Sequence, residues 1–364
     1  MKPIKLISLL IVCLLQLNCG RQESINGFRL KITIKGDVGK YALLQYTDKA
    51  GEKTDTAYLE DDEIIFKGDL IGPQLVQLQF PEIGKKTDIF IENKDIRVRG
   101  NIDQLADLEI EGSELNNDFK VMNASIRNVA DSINYYDSLY IVDGDPSYEV
   151  KYNLFRTMEK SRIRDFISRN RTSPVSLNAL VNHFSNSPSF VEIDPLYRML
   201  DSNLQRSPYG KYFYDEVLLP AKNTEIGMIA PNFKFTNAKG DSIDLASLRG
   251  KVVFLTFWAS WNLPSIQLNE EIKMLRNAFG ANNFEVVQIS CEKNKENWRK
   301  AIEEQGLNWL NYSDGLGFKS PIAKLYGVKA VPYNMLLDRN GEILAKNIRG
   351  QMLQYELWKL FGSF

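Results

Sequence analysis

Apolar and polar positions alternate with period two near the start of the chain. Phe28, Leu30, Ile32 and Ile34 are apolar with polar neighbours, the pattern of a strand with one buried face. Further apolar-rich runs lie at 41–46, 64–70, 75–80, 89–92 and 96–99, and glycines such as Gly36, Gly72, Gly84 and Gly112 punctuate them. Short runs between turn signals predict a small antiparallel β domain over 27–112. The acidic run Glu60, Asp61, Asp62, Glu63 reads as a solvated turn.

From 113 to 222 the period becomes helical. Phe119, Met122, Ile126, Val129 and Ile133 follow a helical stripe. Ser173-Pro174 reads as an N-cap and first helical residue ahead of Leu177, Leu180, Val181 and Phe184. Asp194-Pro195 reads as the same device ahead of Leu196, Met199 and Leu200.

The segment 223–364 alternates strand and helix. Residues 251–257 and 284–290 are near-continuous apolar runs, as in strands buried on both faces. Between them Leu268, Ile272, Leu275 and Phe279 share a helix face. Further helices are expected at 296–304, from Ser320-Pro321 to Gly327, and over 353–361. Strands at 333–337 and 343–348 flank an Asn340-Gly341 hairpin turn. The pattern is an α/β layer with a mixed sheet.

Composition narrows the chemistry. The chain has 364 residues, with 45 Lys and Arg against 46 Asp and Glu, so no basic excess marks it as a nucleic-acid binder. A single histidine, His183, argues against a multi-histidine metal site and against Ser-His-Asp or Cys-His catalysis. No Cys, Asp or Glu stands at ligand spacing from it, so it reads as a structural or surface histidine. No metal and no cofactor is expected.

The first 18 residues read as an export signal. Lys2 and Lys5 precede an apolar run from Leu6 to Leu15, too short for a span of roughly 20 residues. Cys19, followed by Gly20 and polar residues, resembles the lipidated cysteine of a bacterial lipoprotein of the relaxed Bacteroidota type, although Gln16 and Asn18 depart from the usual apolar and small residues. The resemblance implies a tether over 19–26 and a membrane-anchored envelope protein facing the periplasm or the cell surface. Cys13 would leave with the signal and Cys19 would carry lipid, so Cys291 would be the only thiol of the mature chain.

Several motifs of the last segment now combine. Gly227, Ala230, Pro231, Asn232 and Phe233 are followed by Asp241, Asp244, Leu245, Leu248, Arg249, Gly250 and Lys251. Phe257-Trp258-Ala259-Ser260-Trp261 comes next, then Tyr326-Gly327-Val328, Val331-Pro332 and Leu337-Asp338. In order and spacing this segment resembles the thioredoxin-fold domains of the TlpA-like, AhpC/TSA-related group. The region in front resembles, through Gly112-Ser113 and the stretch 173–176, the N-terminal domain of unknown function that accompanies such domains in Bacteroidota lipoproteins.

In that group the active segment is Trp-Cys-x-Pro-Cys, whose first cysteine attacks a substrate disulfide and whose second resolves the mixed disulfide. Here the segment is Trp261-Asn262-Leu263-Pro264-Ser265, so the resemblance places Asn262 and Ser265 where the two sulfurs would be. Asn262 has no ionisable nucleophile, and Ser265 lacks a histidine base, so no catalytic residue is expected at either position. The resemblance also implies a cis bond before Pro332. It further implies a groove where Val331 offers its backbone to an extended peptide, with Trp261, Asn262 and Ser265 beside it. Trp258 is assigned to the core and Trp261 to the surface.

Three functional expectations follow. The first is an anchored module that binds an extended peptide or partner protein without redox chemistry. The second is a thiol–disulfide oxidoreductase using Cys291 and an external thiol, which requires an exposed, acidified sulfur, with Lys293 and Lys295 as candidate acidifying charges. The third places the function in residues 27–222, with the last domain as a platform.

Overall fold

A computed structural model describes residues 27–143, 145–185, 189–236, 240–279 and 283–362. The signal, the tether and Cys19 lie outside the described residues. No helix among the described residues is long and apolar enough to cross a membrane.

The first region holds eight strands: β1 (Phe28–Lys35), β2 (Tyr41–Asp48), β3 (Gly51–Tyr58), β4 (Ile64–Gly68), β5 (Gln74–Phe80), β6 (Lys85–Ile91), β7 (Asp95–Asn101) and β8 (Glu109–Glu111). They form two four-stranded sheets, ordered β4-β1-β7-β8 and β3-β2-β5-β6. The period-two alternation turns Phe28, Leu30 and Ile32 inward against Leu44, Leu78, Phe80, Ile96 and Val98. Two features differ from expectation. β1 and β7 pair in parallel, Leu30 opposite Ile96, within an otherwise antiparallel region. β3 is an edge strand of polar residues in which only Ala57 is buried, so no alternation announces it. The acidic turn holds, with Asp61 and Asp62 at φ 49° and 61°, a left-handed region that aspartate tolerates better than bulkier residues.

Seven helices follow: α1 (Leu115–Asp143), α2 (Pro146–Arg169), α3 (Pro174–Phe184), α4 (Phe190–Met199), α5 (Ser202–Arg206), α6 (Pro208–Phe213) and α7 (Leu219–Asn223). Met122 and Ile126 of α1 share a core with Ile163 and Ile167 of α2, with α3, and with Phe90 of β6. Asn116 ties the two regions together, donating to Phe90 O at 2.8 Å and accepting from Phe90 N at 2.8 Å. Ser173 caps α3 as expected, its hydroxyl accepting from Val175 N. The expectation at Asp194-Pro195 is corrected: Pro195 lies inside α4, which starts at Phe190. Pro195 leaves the Val191 carbonyl without its helical donor, and Val191 is exposed, so water can serve it.

The last region contains β9 (Lys234–Thr236), β10 (Ser242–Asp244), β11 (Val252–Trp258), α8 (Leu263–Phe279), β12 (Phe284–Ser290), α9 (Lys295–Gln305), β13 (Leu310–Tyr312), α10 (Pro321–Leu325), β14 (Tyr333–Leu337), β15 (Ile343–Lys346) and α11 (Gly350–Phe361). Its five-stranded sheet runs β13-β12-β11-β14-β15, with β11 parallel to β12 and antiparallel to β14. Every residue of β11 is buried because both sheet faces are covered. Leu255 and Phe257 face one core with Tyr326 and Tyr333, and Phe254 and Trp258 face the other with α8 and α11. This is the mixed sheet the apolar runs predict. The Asn340-Gly341 turn needs its glycine: φ is +79°, and a Cβ would stand 1.4 Å from Arg249 Nη1.

Candidate functional site

Strand order brings the site residues to one edge of the sheet. β11 and β12 end together, Trp258 opposite Ser290, and Cys291 N donates to Trp258 O at 2.8 Å. β14 begins at the same edge, Tyr333 opposite Phe257. The Trp261 loop, Cys291 and the Val331-Pro332 bond therefore share the carboxyl edge of β11, where an open α/β sheet presents its ligands.

Asn262 is the N-cap of α8. Its backbone carbonyl accepts from Ser265 N at 3.0 Å and from Ile266 N at 3.2 Å. Its side-chain Oδ1 accepts from Ser265 N at 2.9 Å and from Ser265 Oγ at 2.7 Å. Ser265 is fully buried. The two positions are thus joined to each other by a hydrogen bond, and the Ser265 hydroxyl is spent on it. No histidine lies in this region to serve as its base.

Trp258 is buried and Trp261 is 62% exposed, the division the sequence suggested. Leu263 and Leu316 are also exposed. Leu316 sits at this edge because its neighbour Gly317 donates to Glu292 O at 3.3 Å. The Val331-Pro332 bond is cis. Val331 is partly exposed, and neither its N–H nor its C=O is hydrogen-bonded to a described residue.

Cys291 lacks the exposed, acidified sulfur that the second expectation requires. The thiol is 3% exposed and packs in the core with Phe257, Ile289 and Tyr326. Burial pushes its pKa up to about 12, and the carboxylates of Asp314 and Glu292 push in the same direction. Lys293 and Lys295 do not offset this.

Sequence reasoning missed Glu292. Its carboxylate is 3% exposed and accepts from Ser260 N at 2.8 Å and Ser260 Oγ at 2.5 Å. It fixes the loop that carries Trp261. The signal was available in outline: Ser260 and Glu292 each stand two residues beyond strands that pair in register.

His183 has a partner that local spacing hides. Glu159, from the preceding long helix, approaches His183 Nδ1 at 3.2 Å and is also held by Arg156. Glu159 is buried and its two partners are partly exposed, and the cluster is remote in the chain from the sheet edge.

Residues 226–346 match the AhpC/TSA family. The C-terminal region is a thioredoxin-like domain of that family. Residues 28–119 match a domain of unknown function (DUF4369). The chain is 25% identical over 162 residues to the thiol-disulfide oxidoreductase ResA of Bacillus cereus, an alignment covering 44% of this chain and 91% of that protein. With the protein of the same name from Geobacillus kaustophilus it shares 29% over 134 residues, 37% of this chain and 75% of that one. A solved thiol-disulfide oxidoreductase from Bacteroides fragilis is 35% identical, covering 36% of this chain and 97% of its own, with a TM-score of 0.34. The thioredoxin-like domain thus resembles enzymes of thiol–disulfide exchange, while its own helix start carries Asn262 and Ser265.

Proposed function

We propose that the thioredoxin-like domain binds an extended segment of a partner protein and performs no thiol–disulfide exchange. The observation that carries this reading is the unpaired peptide group of Val331, which lies at the same sheet edge as exposed Trp261. A peptide adding to Val331 as a short strand gains backbone hydrogen bonds. Trp261, Leu263 and Leu316 supply apolar surface for its side chains. Exchange chemistry would need a thiolate at the start of α8, where Asn262 stands. In this reading Cys19 carries lipid and anchors the protein in the cell envelope, so the partner is an envelope protein. The Cys291 reading has no support from the burial of that sulfur.

The test has two parts. Reduction of insulin by dithiothreitol is followed with the chain and with Cys291→Ser, and neither accelerates it above background if the proposal holds. Fluorescence anisotropy of a labelled, reduced and alkylated ribonuclease chain then reports capture of an unfolded segment. Trp261→Ala and Leu316→Asp weaken capture. Turnover that vanishes with Cys291→Ser, or capture unchanged in both groove variants, overturns the proposal.

A further inference from the structure

The outward face of the first sheet carries a cationic hollow far in sequence from the thioredoxin-like domain. Because side chains alternate along β1 and β7, Leu30, Ile32, Ile96 and Val98 fill the core. Arg29, Lys31, Thr33, Asp95, Arg97 and Arg99 therefore share the opposite face. These six residues line a cavity of about 310 Å³. Four carry positive charge and one a carboxylate.

The strand register sets two like charges against each other. β1 and β7 are paired so that Lys31 stands directly opposite Arg97. Like charges facing each other across a sheet are destabilising. Among the described residues, carboxylates pair with three of the four cations. Glu63, at the head of β4, holds Lys31 Nζ at 2.6 Å, and Glu111 of β8 holds Arg99 Nη1 at 3.1 Å. Arg97 reaches Asp95 at 3.5 Å, and Asp95 stands opposite Arg29 in the register. Arg29 makes no ion pair and no side-chain hydrogen bond among the described residues. Its Nε is shut off from solvent with no acceptor. A buried donor of this kind lacks both water and a protein partner.

We propose that this hollow binds a phosphate group. Guanidinium forks match phosphate oxygens in pairs, and such charge-assisted bonds are among the strong ones. A tetrahedral anion set over Arg29, Lys31 and Arg97, beside the Asp95 carboxylate that faces Arg29, accepts from several donors at once and offsets the like charges of Lys31 and Arg97. Such a phosphate can come from a soluble phosphate ester or from a phospholipid headgroup, and both present the same oxygens.

The test uses the full chain and isothermal titration with two probes: glycerol 3-phosphate, and dihexanoyl phosphatidic acid below its micelle concentration. Glycerol serves as the uncharged control. Saturable binding that weakens at least tenfold in Arg29→Gln and in Arg97→Gln, and is unchanged in Lys300→Gln on α9, supports the site. Thermal unfolding of each variant shows that the fold is kept, and a shift of Tm by glycerol 3-phosphate in the parent chain alone gives a second readout. Tighter binding of the soluble ester assigns a metabolite, and tighter binding of the lipid assigns a headgroup. Absence of saturable binding for both probes, or equal binding by the parent and both arginine variants, overturns the proposal.

Discussion

Asn262 Oδ1 accepts hydrogen bonds from both the amide and the hydroxyl of Ser265, at 2.9 and 2.7 Å. One side chain thereby caps α8 and ties the two ends of its first turn together. The link joins the two positions without a sulfur. Replacing a capping Asn by Ala costs about 1 kcal/mol, and here the Ser265 hydroxyl is also left buried without an acceptor. Asn262→Ala is expected to lower stability by about 1–3 kcal/mol, read as a shift of the urea midpoint at constant slope.

The same proximity allows a dithiol to be built at these two positions. In Asn262→Cys combined with Ser265→Cys, the two sulfurs replace side chains already in hydrogen-bond contact, and the first stands at a helix N-terminus, where thiolate is favoured. The double variant is expected to form a disulfide under oxidising conditions and to accelerate insulin reduction, while either single variant does not. A double variant that stays reduced beside dithiothreitol-free buffer and oxidised glutathione would show that the helix start has the wrong geometry.

Cys291 is expected to resist labelling. With its pKa pushed up to about 12 by burial and by Asp314 and Glu292, the thiolate fraction at pH 7 is on the order of one in 100,000. Ellman's reagent should react slowly with the folded chain and at once in 6 M guanidinium chloride. Cysteines in any leader retained on the preparation need to be substituted first. Rapid native labelling would contradict the burial described above.

Glu292 positions the Trp261 loop through Ser260. Glu292→Ala strands two donors that have little access to water and is expected to cost about 2 kcal/mol. It should also weaken capture of the unfolded ribonuclease chain, because Trp261 is no longer held. Glu292→Gln keeps an acceptor and should restore part of both. Equal capture in all three proteins would show that the loop holds itself.

The Glu159 cluster gives a pH dependence with a definite sign. Burial opposes ionisation of Glu159, but the His183 hydrogen bond and the Arg156 charge outweigh it and lower its pKa below 4.5. A carboxyl with a lowered folded pKa contributes stability that is present above its unfolded pKa and is lost as pH falls through the folded value. Glu159→Gln is expected to destabilise the chain by about 2 kcal/mol at pH 7. The gap between parent and variant should narrow below about pH 4.5. Thermal melts of both proteins from pH 7 to pH 3 check this, and a constant gap would sink it.

The regions of the chain also meet through charges that spacing does not announce. Arg349 Nε, just before α11, lies 2.8 Å from Glu149 Oε1 of α2, and its guanidinium stacks 4.6 Å from the Tyr140 ring centre. Lys329, just before the cis bond, reaches Glu216 Oε2 at 3.3 Å. The helical region thus meets the last region at the start of α11 and at the loop that carries Val331, through contacts between residues more than 100 positions apart.

What the sequence determined by itself is what depends on near neighbours and on covalent identity. Period-two alternation is enough to turn Leu30 and Ile32 inward, since a strand's side chains point to opposite faces. A continuous apolar run is enough to bury β11, since it leaves no polar face for solvent. Ser173-Pro174 is enough to start α3, and the absence of sulfur at 262 and 265 is a matter of residue identity. The tertiary structure decided everything that depends on partners distant along the chain. Asp194-Pro195 starts no helix, because α4 is already under way and exposed Val191 tolerates the missing donor. The polar strand β3 forms because β2 supplies its hydrogen bonds. Cys291 is buried with its pKa raised because both sheet faces are covered around it and carboxylates lie near, a matter of surroundings that no local spacing records. His183 finds Glu159, Ser260 finds Glu292, and Lys31 is set against Arg97 only when strands and helices have taken their register, because electrostatic and hydrogen-bond partners are fixed by position in space.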